Sequence, residues 1–141
     1  MQFRLQRSPD GGHTIATDAA GNQLEMYLPE NAGGAATGIR PMQVLIMGMA
    51  GCAAVDILVI LKKQRQQVED LLMDIQAERE PDKEPSLWQT VHVVFTVIGQ
   101  VEQAKAEKAV ELSMLKYCSV TETLRKAGAE VTWEVLTQPA G

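Results

Sequence analysis

The sequence predicts one α+β domain over residues 1–141, in the order β-β-β-α-β-β-α-α-β, and three observations lead to it. Short alternating segments punctuated by Gly- and Asp-rich turns fill the first thirty residues. A long apolar helical run begins at Pro41. Two strands, an amphipathic helical stretch and a final strand follow it, with no internal repeat. Strands and helices segregated in this way belong to the α+β class.

The elements are justified in order. Residues 2–7 alternate, with Phe3 and Leu5 on one face. Ser8-Pro9-Asp10-Gly11-Gly12 is a hairpin turn. Residues 13–17 form the second strand. Asp18-Ala19-Ala20-Gly21-Asn22 turns the chain again, and Leu24, Met26 and Leu28 alternate along the third strand. Residues 31–38 are rich in Gly and Ala and read as a flexible loop. Pro41 sits well at a first helical turn, and the helix is expected to run to about Gln66. Its apolar residues go all the way round, so it must be covered by more than its own sheet, and a second protomer is expected. Residues 68–80 read as a long strand, ended by Pro81-Asp82-Lys83-Glu84-Pro85. Residues 88–98 are the clearest strand, with Val91, Val93, Phe95 and Val97 on one face. An amphipathic helix over 102–116 and a short helix over 119–127 follow, the latter closed by Gly128. Val131, Trp133 and Val135 mark the last strand.

Composition excludes several function classes. A chain of 141 residues that is 45% hydrophobic can bury a core, but with only 4% aromatics that core must be aliphatic. A net charge of −5 leaves no basic surplus to neutralise phosphates or anionic lipid. Two cysteines are too few for a disulfide scaffold, and too few for a zinc site with only His13 and His92 to help. The N-terminal residues lack the apolar run of a signal peptide, so a cytoplasmic protein with reduced thiols is expected. Residues 44–61 imitate a membrane span, but Asp56 interrupts them and the rest of the chain is amphipathic, which favours a buried central helix.

Cys52 and Cys118 are the candidate reactive groups. Cys52 lies among Gly48, Ala50, Gly51, Ala53 and Ala54, and reads either as a small buried hydrophobe or as a sulfur that another backbone or a ligand can approach. Cys118 lies between two helical segments, where unpaired N–H groups at a helix N-terminus favour a thiolate and Lys116 is close in sequence; a satisfied boundary cysteine is the alternative. Asp56 is one helical turn from Cys52. It reads as a buried acid held by a backbone N–H, a Lys or an Arg, or as the partner of an activating Arg. His92, mid-strand and without a second ligand at metal spacing, reads as a satisfied sheet histidine. Met42, Met47 and Met49 read as packing residues or as the wall of an apolar substrate tunnel.

The words around both cysteines carry a resemblance. Arg40-Pro41-Met42-Gln43-Val44-Leu45-Ile46-Met47-Gly48-Met49-Ala50-Gly51-Cys52-Ala53-Ala54-Val55-Asp56 resembles the stretch around the first cysteine of the OsmC/Ohr family (osmotically inducible protein C and organic hydroperoxide resistance proteins). Lys116-Tyr117-Cys118-Ser119-Val120 resembles a word of its small YhfA-like branch, and the likeness covers about residues 24–136. The resemblance implies an intertwined homodimer, with antiparallel sheets wrapped around long central helices. It implies reduction of organic hydroperoxides, with Cys52 peroxidatic and Cys118 resolving through a disulfide, and a dithiol or lipoylated protein as reductant. It implies no metal, flavin or nicotinamide.

The chain departs from that pattern where an Arg–Glu pair serves the reactive sulfur. After the helix-opening Pro41 stand Met42 and Gln43, neither of them acidic, and Arg4, Arg7 and Arg40 are offered without a motif to choose between them. Ser119 replaces the Pro that follows the second cysteine in the reductases. Arg40, Gln43 and Asp56 are therefore the candidate supporting residues. The alternative is a catalytically weakened relative acting in redox response or small apolar ligand binding. A third reading is a structural α+β dimer with inert thiols.

Overall fold

Two tight turns set up the first sheet. In the computed structural model, which describes residues 1–141, strands β1 (Phe3–Arg7), β2 (His13–Asp18) and β3 (Gln23–Tyr27) pair antiparallel in the order β1-β2-β3. In the second turn the Asp18 carboxylate accepts hydrogen bonds from the amides of Ala20 (2.8 Å) and Asn22 (2.9 Å) and from Asn22 Nδ2 (2.8 Å). Leu5, Ala16 and Leu24 lie opposite one another across the three strands. The Gly/Ala loop that follows is fastened, contrary to the flexible loop expected. Arg7 donates to Gly11 O (2.9 Å) and to Gly33 O (2.7 Å), and a Cβ at Gly34 would meet Leu28 O at 2.0 Å.

Helix α1 (Pro41–Lys63) opens with Pro41 at its first position. The Gln43 side-chain oxygen accepts the Arg40 backbone N–H at 2.9 Å, one half of a capping box. It stops three residues short of the expected Gln66, because the chain closes in a Schellman motif: Gln66 N donates to Leu61 O and Arg65 N to Lys62 O, both 3.0 Å. The left-handed position of that motif is filled by Arg65 at φ +60°, where a side chain is strained. Arg65→Gly is therefore expected to raise stability by about 1 kcal/mol, read from chemical denaturation midpoints. A lower midpoint would show that the Arg65 side chain contributes more than its backbone costs.

The chain divides into two compact units, residues 1–47 and 48–141. In the second, β4 (Gln67–Arg79), β5 (Trp88–Gln100) and β6 (Glu130–Gln138) form a sheet in the order β4-β5-β6. Val91, Val93, Phe95 and Val97 are all within 1% of full burial, as their alternation predicts. Opposite them stand Ala77, Ile75, Met73 and Leu71 on β4, and Val131, Trp133 and Val135 on β6. A bulge between Val68 and Asp70 switches the inward face of β4 from even to odd positions, which leaves Leu72 exposed. Gly99 makes room for that bulge: its φ is +135°, and a Cβ there would meet Gln67 O at 2.1 Å.

The antiparallel expectation holds for β1–β2–β3 and for β4–β5 and is corrected at β6, which runs parallel to β5. Parallel neighbours need a long crossover, and the helices between β5 and β6 supply it. The helix expected over 102–116 is continuous, but its last turn is not α-helical. Helix α2 (Gln103–Leu112) widens into a π-turn (Ser113–Tyr117) before α3 (Ser119–Lys126). Ala106, Ala109, Val110, Met114 and Leu124 are buried along it.

From Gly48 onward, α1 has two unlike faces. Met49, Ala53, Ile57 and Leu61, each four residues after the last, are fully buried. Val55, Leu58 and Val59 are 63%, 42% and 47% exposed, and a Cβ on Gly48 or Gly51 would meet nothing within 4 Å. By length and composition alone this helix is long and apolar enough to cross a membrane.

Candidate functional site

The site is built from α1 and from the joint between the π-turn and α3. Cys52 and Asp56 stand on successive turns of α1, so their side chains leave the helix on one side. Cys118 is the N-cap of α3. The wider π-turn lets its amide donate back five residues to Ser113 O at 2.8 Å. The result is a cluster: Cys52 Sγ, Cys118 Sγ and an Asp56 carboxylate oxygen all lie within 4.8 Å of one another. Both cysteines are free thiols, Cys52 half-buried and Cys118 only 3% exposed.

Two buried hydroxyls orient this cluster. Thr121 Oγ1 donates to Cys118 Sγ at 3.0 Å, and Ser113 Oγ donates to Asp56 Oδ2 at 3.1 Å. Both residues are fully buried. The Cys118 thiol in turn points at Met49 O, 3.8 Å away. Burial pushes the Cys118 thiol above its ordinary range. The Thr121 hydroxyl and, less strongly, its amide oppose that rise, although the amide does not complete a capping hydrogen bond; the neighbouring Cys52 adds to the rise. The helix N-terminus thus works as expected in direction, but burial outweighs it.

The groups that hold Cys118 are a hydroxyl and a carbonyl, not a cation. Lys116, expected to help, places its ammonium over the Tyr117 ring at 5.3 Å instead. Arg40 lies over the Tyr27 ring at 5.2 Å, and Gln43 is engaged in capping α1. Arg7 is occupied by Gly11 and Gly33. Within the chain, the Asp56 carboxylate accepts a hydrogen bond from the Ser113 hydroxyl. His92 is satisfied within the sheet, with Nδ1 2.7 Å from Thr132 Oγ1 and Nε2 3.2 Å from Glu134 Oε2.

Ser113, Thr121 and Arg125 carry more of the site than sequence reasoning gave them. Arg125 donates to Met114 O, a carbonyl of the π-turn, and its guanidinium lies 5.9 Å from the Trp133 ring centre. The signal for Thr121 was its place three residues after an N-cap. Ser113 carried no signal of its own.

Two cavities border the cluster. One, of about 450 Å³, is lined by Asp56, Val59, Ile60, Lys63, Gln64, Leu112 and Tyr117. The buried Gln64 Oε1 has no hydrogen-bond partner in the chain. The other, of about 330 Å³, is lined by Met114, Leu115, Lys116, Cys118 and Glu122. Met42, Met47 and Met49 line neither of these two cavities.

The family model described as OsmC-like protein matches residues 33–134. The chain is 36% identical over 128 residues to Protein YhfA of Escherichia coli K12, covering 90% of this chain and 91% of the relative. It superposes on a hypothetical protein from Aquifex aeolicus VF5 with a TM-score of 0.78 at 27% identity, covering 97% of this chain and 96% of that one. The organic hydroperoxide resistance protein OhrB of Bacillus subtilis shares the fold, with a TM-score of 0.65 at 19% identity over 96% of this chain and 98% of that one.

Proposed function

Since the chain belongs to the OsmC-like protein family, we propose that it has a redox, peroxide-resistance role, and more specifically that it reduces organic hydroperoxides through Cys52 and Cys118. The observation that carries this reading is the approach of the two sulfurs to within 4.8 Å inside one chain. In the first step the Cys52 thiolate attacks the distal peroxide oxygen. The O–O bond breaks, the alkoxide leaves as alcohol after taking a proton, and Cys52 becomes a sulfenic acid. In the second, the Cys118 thiolate attacks that sulfur, and hydroxide leaves as water on protonation. The resulting disulfide returns to two thiols by exchange with an external dithiol, small or lipoylated, which is itself oxidised.

Arg40, Gln43 and Asp56 take supporting roles in this reading. Arg40 and Gln43 fix the start of the helix that carries Cys52, and Asp56 with Ser113 fixes the helix turn after it. We take residues 1–141 as one functional domain, because the family match crosses the division at Met47. The protein is proposed to act in the cytoplasm as a homodimer, with the exposed face of α1 against its copy.

A second reading is favoured by a specific observation. The cavity beside Asp56, with Val59, Ile60, Leu112 and Tyr117 in its wall, holds an unpartnered Gln64 carbonyl, and no cation holds the Cys118 sulfur. A weakened relative that binds a small apolar molecule carrying one hydrogen-bond donor would use these features.

One experiment separates the two. The reduced protein is titrated with one equivalent of cumene hydroperoxide and its free thiols are counted by alkylation and intact mass. The expected result is loss of both thiols within seconds in the wild type and of none through disulfide formation in Cys52→Ser. Two alkylatable thiols after minutes would reject the peroxidase reading.

A further inference from the structure

We propose that Cys52, Asp56 and Cys118 form a three-ligand site for a zinc ion, with the fourth position left to water. Two sulfurs and one carboxylate oxygen converge within 4.8 Å. Zinc bonds of ~2.3 Å to sulfur and ~2.1 Å to oxygen place tetrahedral ligand atoms roughly 3.6–3.8 Å apart. The side chains therefore need to close by about 1 Å or less, which rotamer adjustment supplies. The donor set matches the ion: two thiolates suit a soft or borderline metal, and a carboxylate in place of a third sulfur favours zinc over copper(I).

The surroundings are those of a prepared site. Metal ligands are usually held by a hydrogen bond from a neighbouring group, and two of the three are so held here. Thr121 Oγ1 donates to Cys118 Sγ at 3.0 Å, and Ser113 Oγ donates to Asp56 Oδ2 at 3.1 Å. Both hydroxyls are fully buried, and each donates to a side chain that would offer a lone pair to the metal. Asp56 borders one cavity and Cys118 another, which gives the ion a way in and its water a place. The cluster also brings three groups that can carry negative charge together, while the hydrogen bonds to Cys118 and Asp56 come from hydroxyls and not from cations. A divalent ion offsets two of the three charges. The cysteine count alone argued against zinc because Asp56 was not visible as the third ligand.

Binding changes no oxidation state. Each thiol gives its proton to solvent as its sulfur bonds the metal, so one zinc displaces two protons. The bound ion engages the sulfur lone pairs that would attack a peroxide, so zinc occupancy and hydroperoxide reduction exclude one another, and disulfide formation expels the ion. The site stands on the ligand geometry and needs no peroxidase activity.

The test uses the reduced full-length protein, stripped with chelator and titrated with zinc chloride against a chromophoric competitor, with cobalt(II) as a spectroscopic probe. One ion per chain is expected, with two protons released per zinc and thiolate-to-cobalt charge-transfer absorption. Cys52→Ser and Cys118→Ser should abolish tight binding, and Asp56→Asn and Ser113→Ala should weaken it by about 10- to 100-fold while circular dichroism stays unchanged. Absence of saturable binding at one equivalent would overturn the proposal. So would binding that survives Cys52→Ser, or that is as tight in Asp56→Asn as in the wild type, which would mean adventitious thiol binding only.

Discussion

With Cys118 replaced by Ser, oxidation by one equivalent of hydroperoxide is expected to stop at a sulfenic acid on Cys52. The adduct would be trapped by dimedone and seen by mass, in place of the disulfide. The argument rests on the environments of the two sulfurs. Cys52 is half-buried, whereas Cys118 is 3% exposed and its thiol is pushed above the ordinary range by burial. Only the thiolate attacks sulfur, so a raised thiol is scarce as thiolate at neutral pH and grows about tenfold for each pH unit up to its own pKa. Disulfide closure in the wild type should accordingly accelerate with pH through about 7 to 9 and beyond. The Thr121 hydroxyl opposes the rise at Cys118, so Thr121→Val should slow closure further and move its pH profile upward. A closure rate flat in pH would overturn attack by the Cys118 thiolate as the closing step, and so would a disulfide still formed in Cys118→Ser, which could only join Cys52 of two copies.

Chain order and core were readable because they follow from period and punctuation. The alternation of Val91, Val93, Phe95 and Val97 specifies a buried face whatever lies around it. Alternation has no direction, however, so Val131, Trp133 and Val135 announced a strand but not that it runs parallel to β5. The π-turn was hidden for a related reason. One extra residue per turn at Ser113–Tyr117 leaves the apolar pattern nearly helical, and only the Cys118 amide reaching Ser113 O reveals it. That slip aims Cys118 toward α1 and lets Ser113 meet Asp56 across 57 positions of chain. Both sulfurs were identifiable as candidates by residue type; their approach was implied only by resemblance, because contacts so distant in sequence leave no local trace.

Val55→Asp is expected to convert a dimeric wild type into a folded monomer. The exposed face of α1 places Val55 at 63%, Leu58 at 42% and Val59 at 47% of full exposure, with open space at Gly48 and Gly51 where a second helix can approach closely. Burying a valine contributes roughly 1.5–2 kcal/mol, and taking an unpaired carboxylate out of water costs several kcal/mol more. A two-fold axis applies each change twice. The sum is at least about 6 kcal/mol, or on the order of 10⁴-fold in the dimer dissociation constant. Analytical ultracentrifugation checks it, with Glu107→Gln on the solvated side of α2 as the control that leaves association unchanged. A wild type that is monomeric at micromolar concentration would reject the dimer outright. Because Cys52, Asp56 and Cys118 all come from one chain, the monomeric variant should still bring its two sulfurs together and form the disulfide. Loss of hydroperoxide turnover with retention of that disulfide would place the contribution of the second copy in enclosing the substrate, not in supplying a reacting group.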